Sequence, residues 1–469
     1  MLETISQIND AVYSVVGGPV MVALLVGTGI WFTIRTKFFQ LTKFRLWFSN
    51  TIVACFKHKE VRKTKDKRAI SQFQSLCTAL AGTVGTGNIA GVATAIVAGG
   101  PGAVFWMWVS AFFGMMTNFA EKVLGIKYRY KDKKGNWVGG AMIYIERGLK
   151  CKWLAVAFSV FCVLASFGIG NMSQGNSIAE AMNDSFQIPK WVSGLVAAAL
   201  VAMVILGGIK RIARVTEKIV PIMAGFYIIG TLVVIGAHIE NVPEAFGSIF
   251  REAFNFRAGV GGVAGYGIAV AMNKGVARGI FSNEAGLGSS VMVHSASDVK
   301  EPVVQGMWGI FEVFADTIVI CTLTALTILC SGVYDQGVYE AALGTPAMES
   351  LANGSVLTNS AFATVFGPWG SVFTSIALTL FAFSTFLGWS YYGERGMEYL
   401  FGARAVPVYK ILFIIMVFVG CVARLELVWS LSDTFNMLMA LPNLAALLLL
   451  SKQVIDELKG YYARKRVYG

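Results

Sequence analysis

Residues 82–91 read GTVGTGNIAG and lie inside an apolar run from Leu76 to Ala98. Gly82, Gly85, Gly87 and Gly91 let the backbone leave helical geometry. At membrane depth, the amides and carbonyls released in this way are tolerated only where they line a cavity or hold a ligand. A break over Ala81–Asn88 therefore offers two chemistries. Amides near Thr86, Gly87 and Asn88, opening a second half-helix, form a positive end suited to a carboxylate. Carbonyls near Ala81 and Val84, closing the first half-helix, suit Na+, which prefers oxygen ligands. Thr83, Thr86 and Asn88 add side-chain donors and acceptors to the same turns. Gly87 and Gly91 also match a G-x-x-x-G helix contact, and that reading stays open. A dinucleotide-binding turn does not fit, because no strand precedes the stretch.

Other polar residues stand in apolar runs. A second glycine-rich stretch, MNKGVARGIFSNEAGLGSS, spans 272–290, with a break expected within 273–288. There Phe281 suits packing on a substrate side chain and Asn283 suits polar contacts. Glu284 fits a cap on a following half-helix, while Lys274 and Arg278 fit either a cytoplasmic cluster or vestibule charges. Gln174, in FGIGNMSQGNSIAEAM, is an uncharged donor and acceptor suited to a substrate ammonium or carboxylate, or to holding helices together. In LTLFAFSTFLGWSYYGE, Thr385 and Trp389 share a helix face beside Ser384; hydroxyls bonded back to their own helix and an interfacial tryptophan are the plainer roles. Glu312 and Asp316, four apart, are costly at membrane depth. They fit partners for a coupling cation or proton, Asp316 foremost, or neutralising pairs with Lys274 or Arg278. Three scattered histidines and seven cysteines without C-x-x-C spacing give no zinc site, no disulfide framework and no nucleophile with its base, so an enzyme is not expected.

Membrane helices must position these groups. The chain of 469 residues is 55% hydrophobic and 14% charged, far below the roughly 25% charged content of soluble domains. Apolar windows long enough to span a bilayer lie at about 12–34, 71–98, 103–126, 153–178, 190–208, 215–238, 258–292, 303–331, 370–392, 407–424 and 427–451, eleven in all. The net charge of +12 is not a nucleic-acid surface, because the basic residues sit in alternate connections. Between Arg35 and Arg68 there are eleven Lys or Arg against two acids, and Lys127–Lys134, Lys210–Lys218 and Lys452–Arg466 are basic too. The connection from Gly332 to Gly370 carries Asp335, Glu340 and Glu349 but no Lys or Arg. The basic connections and the C-terminus are therefore expected in the cytoplasm, and the N-terminus outside, in a multi-pass protein of the cell (plasma or inner) membrane. The first span has no A-x-A site, so a cleaved signal peptide is not expected. The stretch after it, alternating Phe, Leu and Trp with Lys and Arg, is expected to form an interfacial helix on anionic lipid.

The chain divides into an N-terminal helix with its basic segment (1–69), two sets of five spans (70–257 and 258–450), and a basic tail (451–469). Five is odd, so the second set enters the membrane inverted, and each set opens with a glycine-interrupted span. Paired breaks in inverted halves point to a secondary transporter's binding site. No G-x-x-x-x-G-K-[ST] is present, so ATP is not expected to drive it.

Three long stretches, GTVGTGNIAGVATAIVAGGPGAVFWMWVSAFFGM, GIFSNEAGLGSS and LGWSYYGE, closely resemble the alanine/glycine:cation symporter family (the sodium:alanine symporter family). That resemblance covers nearly the whole chain and implies an all-α membrane protein of leucine-transporter type: two inverted five-helix repeats plus one extra N-terminal helix. It also implies uptake of a small neutral amino acid, alanine or glycine foremost and glutamine as an alternative, coupled to Na+ or H+. In such a fold the ninth span faces the first break. Phe381, Ser384 and Thr385 would then complete a Na+ shell with Ala81 and Val84, Gln174 would join the amino-acid site, and Trp389 would wall the substrate.

Overall fold

The computed structural model describes residues 2–133, 135–254, 266–335, 337–338, 354–423 and 426–468. These residues are almost wholly helical, with one short hairpin, Tyr130–Lys131 against Trp137–Val138, in a basic connection. Helical segments stand at all eleven apolar windows. Among the described residues, five runs are long and apolar enough to cross a membrane unaided: Gly102–Tyr128, Lys152–Phe186, Gly208–Ala237, Pro302–Cys330 and Trp369–Phe401. Two further runs are bent pairs, Ser6–Val16 with Pro19–Arg35 at 40° and Ser430–Leu449 with Ser451–Arg464 at 57°. The expected repeat boundary at 257/258 and most of the acidic connection, including Glu340 and Glu349, lie outside the described residues.

The first glycine-rich stretch breaks where expected. Ser71 starts the half-helix Gln72–Thr83 with a reciprocal cap: its hydroxyl accepts from the Gln74 amide at 3.1 Å and its amide donates to Gln74 Oε1 at 3.0 Å. Val84 then leaves helical geometry, Thr86–Asn88 form a single 3-10 turn, and Ala90–Gly99 resume the helix. In the second stretch the helix Tyr266–Asn283 gives way to an unwound segment over 284–290, followed by the short helix Val291–His294. Gly286 and Gly288 adopt φ of 95° and 74°, which their lack of a Cβ allows. Glu284, at φ 55°, is left-handed within the break, which corrects its expected role as a helix cap.

Two long runs contain π segments, Gly168–Met172 and Phe314–Cys321. Such bulges insert an extra residue and re-aim side chains. Gln174 follows the first and Asp316 lies within the second.

The basic stretch after the first window is not one interfacial helix. Lys37 and Phe38 take positive φ, and the chain continues as the short helices Phe39–Thr42, Phe44–Phe48, Ala54–Lys57 and Lys59–Arg62 around a π turn. Its aromatic face turns partly into the protein: Trp47 is buried, donates its indole N–H to the Gln40 carbonyl at 2.9 Å, and packs on Phe314.

On the basic face the helix ends are tied together. Arg129 donates to the carbonyls of Ser295 at 3.0 Å, Ser297 at 2.6 Å and Val299. Ile70 pairs with Ala296 and Asp298 through the backbone, and Arg464 pairs with Glu301 at 2.7 Å. The helices part instead at the opposite face, where a cavity enters the bundle.

Candidate functional site

This cavity, about 550 Å³, reaches from the ends of the helices Ser173–Phe186 and Trp369–Phe401 down to the first break. Thr86 and Gly87 line its depth and Phe281 lines its side. Thr86 and Gly87 open the 3-10 turn, where N–H groups lack intrahelical acceptors. Arg278 and Asp433 stand farther out, with the Arg278 guanidinium 5.5 Å above the Phe281 ring. Lys274 and Arg278 share the electrostatic field of Asp433. Arg278 lines the cavity, whereas Lys274 is not among its lining residues.

Below the cavity, Ala81, Phe381, Ser384 and Thr385 lie together. In a continuous helix the Gly85 amide would donate to the Ala81 carbonyl; here it donates to Asn88 Oδ1 at 2.8 Å instead. The Ala81 carbonyl, released, accepts from Ser384 Oγ at 3.3 Å. Ser384 Oγ also donates to the Phe381 carbonyl at 2.8 Å, and Thr385 Oγ1 donates to that carbonyl at 3.0 Å. Both hydroxyls are thus bonded back to their own helix while lying beside the break. Close approach is possible because Gly388 meets Gly82: a Cβ on Gly388 would come within 2.7 Å of the Gly82 backbone. Val84 is buried at the same break, but among the described residues no hydrogen bond joins its carbonyl to this group.

Asn88 faces protein instead of the cavity, and it joins the two breaks. Its amide nitrogen donates to Ser282 Oγ at 2.9 Å and to Asp316 Oδ1 at 2.7 Å, while its oxygen holds Gly85. Ser282 and Thr317 each donate a hydroxyl to Asp316 Oδ2 at 2.8 Å. Asp316 is therefore a buried carboxylate held by three donors from three elements. Sequence reasoning missed Ser282, whose one signal was its place beside Asn283 in the second glycine-rich stretch.

The other predicted residues lie one layer behind the cavity. Gln174 Oε1 accepts from the Thr86 hydroxyl at 3.2 Å and its Nε2 donates to the Ile169 carbonyl at 3.0 Å. Asn283 donates to Thr317 Oγ1 at 3.0 Å and accepts from the Ala285 amide at 3.0 Å. Trp389 is buried against Gly170 and meets Tyr392 edge-on at 5.4 Å between ring centroids. Thr83 is buried and its hydroxyl has no hydrogen-bond partner.

Glu312 does not pair with Lys274 or Arg278, as one reading had it. Its Oε2 lies 3.3 Å from Lys122 Nζ and 3.0 Å from His294 Nε2, and all three side chains are fully buried. Glu121 Oε1 accepts from the amides of Gly286 and Gly288, each at 3.1 Å, and from Asn443 Nδ2 at 2.7 Å. Glu121, Lys122 and His294 are further residues that the sequence reading missed; an adjacent Glu-Lys pair inside an apolar window was the available signal. The two breaks thus differ in kind, because a carboxylate of the protein already occupies amides of the second.

The sequence profile of the sodium:alanine symporter family matches residues 2–468. The chain is 46% identical over 464 residues to the sodium/alanine symporter AgcS of Methanococcus maripaludis, covering 98% of each chain. It is 38% identical over 460 residues to the probable sodium/glutamine symporter GlnT of Bacillus subtilis, covering 98% of this chain and 90% of that one. Among solved structures, MhsT in complex with L-phenylalanine is similar over 82% of this chain and 89% of that chain, with a TM-score of 0.57 and 14% identity, a likeness of fold alone.

Proposed function

The chain belongs to the sodium:alanine symporter family, and on that premise we propose that it imports a small neutral amino acid, alanine or glycine, together with Na+ by alternating access. One observation carries this reading: a single helix break places cavity-lining Thr86 and Gly87 within a few residues of the Ala81 carbonyl, which meets Ser384. The substrate carboxylate binds at the amides of Thr86 and Gly87, while the Asn88 amide, expected to join them, is taken by the Gly85 carbonyl at 3.2 Å; Thr83 and Gln174 lie beside them, Phe281 and Trp389 limit the side chain, and Asn283 braces the second break. Na+ binds among the carbonyls of Ala81, Val84 and Phe381 and the hydroxyls of Ser384 and Thr385. Because both ligands order residues 81–88, each lowers the cost of ordering them for the other, which is a physical basis for coupling. Asp316 acts in this scheme by holding Asn88 and Ser282 in place, and it is also the first candidate for a direct coupling-ion ligand.

The architecture proposed is of leucine-transporter type: eleven spans, as an N-terminal helix (1–69), inverted five-helix repeats (70–257 and 258–450) and a cytoplasmic tail (451–469). With the N-terminus outside and the basic face in the cytoplasm, the cavity is the outward-facing vestibule. The likeness to GlnT supports glutamine as a second substrate, and the cavity volume is compatible with a longer side chain. Proteoliposome uptake of labelled alanine, glycine and glutamine, with Na+ and pH gradients imposed separately, tests the proposal. Saturable alanine uptake uphill on a Na+ gradient is expected. Uptake driven by a pH gradient alone favours H+ as the coupling ion, and ohmic current without accumulation overturns symport in favour of a channel.

A further inference from the structure

The buried side chains around the second break do not balance in charge. Three carboxylates, Glu121, Glu284 and Glu312, share one lysine, Lys122, and all four side chains are at most 2% exposed. Lys122 Nζ lies 3.6 Å from Glu121 and 3.3 Å from Glu312, and donates to Ser290 Oγ at 2.5 Å and to Asn118. His294 Nδ1 lies 2.5 Å from the Gln305 side-chain amide and its Nε2 lies 3.0 Å from Glu312; even counted as a cation it leaves three carboxylates against two positive charges. Glu121 has two backbone amides and Asn443, and Glu312 has the lysine and the imidazole. Glu284 has the Ser289 hydroxyl and the Trp389 indole beside it, and among the described residues no cation within 4 Å. The neighbouring oxygens Glu121 Oε2 and Glu312 Oε1 are buried without a hydrogen-bond partner, so the surplus of acid is not absorbed by other donors.

Unneutralised negative charge is strongly disfavoured in a dry interior, and a proton is the smallest ligand that removes it. We propose that Glu284 is a proton-binding site: the carboxyl of the second break holds a dissociable proton, and its loss makes substrate binding depend on pH. Ionisable groups face Glu284 from the elements packed around it, Lys122 among them. Glu312 approaches from the helix Pro302–Val313, Tyr392 from Trp369–Phe401, and Cys162 from Lys152–Phe167. Lys122 is already committed to Glu121 and Glu312. The link to substrate runs through Trp389 on one side and, on the other, through Asn283, which precedes Glu284 and bonds Thr317 beside Asp316. The reading of Trp389 as a substrate wall rests on the proposed transport function; the proton site itself does not.

The two are separated by measuring protonation without substrate. Infrared difference spectra of the purified protein, recorded as pH is raised, are expected to lose a protonated-carboxyl C=O band that is missing from Glu284→Gln and kept, at a shifted midpoint, in Glu284→Asp. Ser289→Ala, which removes only the hydroxyl donated to that carboxylate, is expected to move the midpoint to higher pH and gives a test should Glu284→Gln not fold. Labelled-alanine binding by the wild type is expected to fall as pH rises, and binding by Glu284→Gln to stay flat at the low-pH level. A band unchanged in Glu284→Gln, a band lost on adding Na+ at fixed pH, or an unmoved midpoint in Ser289→Ala overturns the proton site. A titrating Glu284 band with no alanine binding at any pH retains the proton site and rejects the substrate assignment.

Discussion

Asn88 carries three jobs on one side chain: it ends the first half-helix by taking the Gly85 amide, and it ties that break to Ser282 and Asp316. Replacing it with alanine strands a buried amide and weakens the hold on a buried carboxylate, each worth about 1–3 kcal/mol. Asn88→Ala is therefore expected to lower both alanine and Na+ affinity by at least about tenfold, since tenfold corresponds to about 1.4 kcal/mol. Equilibrium binding of labelled alanine with and without Na+, alongside circular dichroism for helix content, checks this. Gln174→Ala removes the acceptor for the Thr86 hydroxyl and is expected to weaken alanine binding while sparing the Na+ response. Equal loss of both responses in Gln174→Ala contradicts its placement with the substrate. At this scale the sequence was a good guide to residue types but a weaker one to what each touches. Asn88 was marked by its chemistry, yet its partners lie 194 and 228 residues away.

Among the elements, the first break and the helix Trp369–Phe401 work as one unit, joined at the contact of Gly82 with Gly388. A methyl on Gly388 meets backbone, which has nowhere to yield, so the two helices must separate. Overpacking of this kind costs typically about 1–3 kcal/mol. Gly388→Ala is expected to fold, to part Ser384 from the Ala81 carbonyl, and to lose most of the thermal stabilisation that Na+ confers on the wild type. A melting shift in NaCl equal to the wild type's contradicts the ion assignment to this contact. The first break was legible because glycine density and polar side chains fall in the same two turns. The second was expected only as a break somewhere within 273–288, because its unwound course over 284–290 is set by Glu121 and Asn443, which hold Gly286 and Gly288 from other helices.

Across the whole molecule, the cavity enters from one face while the other is closed by Arg129 and its three carbonyl acceptors. In Arg129→Ala that closure loosens, and a cysteine placed at the fully buried Ser297, whose hydroxyl has no partner, is expected to become several-fold more reactive to a hydrophilic maleimide. Site-resolved mass spectrometry separates it from the native thiols; unchanged labelling contradicts Arg129 as a fastening of that face. Membrane character, the positions of the helical runs, the basic face and the existence of a break at 81–88 were all determined by the sequence alone. Each depends on neighbours in the chain: apolar length, charge per connection, and glycine's freedom to leave a helix. The tertiary structure alone decided the pairing of buried polar groups: that Asn88 turns to Asp316, that Glu312 takes Lys122 and His294, and that Glu121 fills the second break. A buried polar group takes the partner that packing brings within about 3 Å, and that distance is set by how helices far apart in the chain stack against one another.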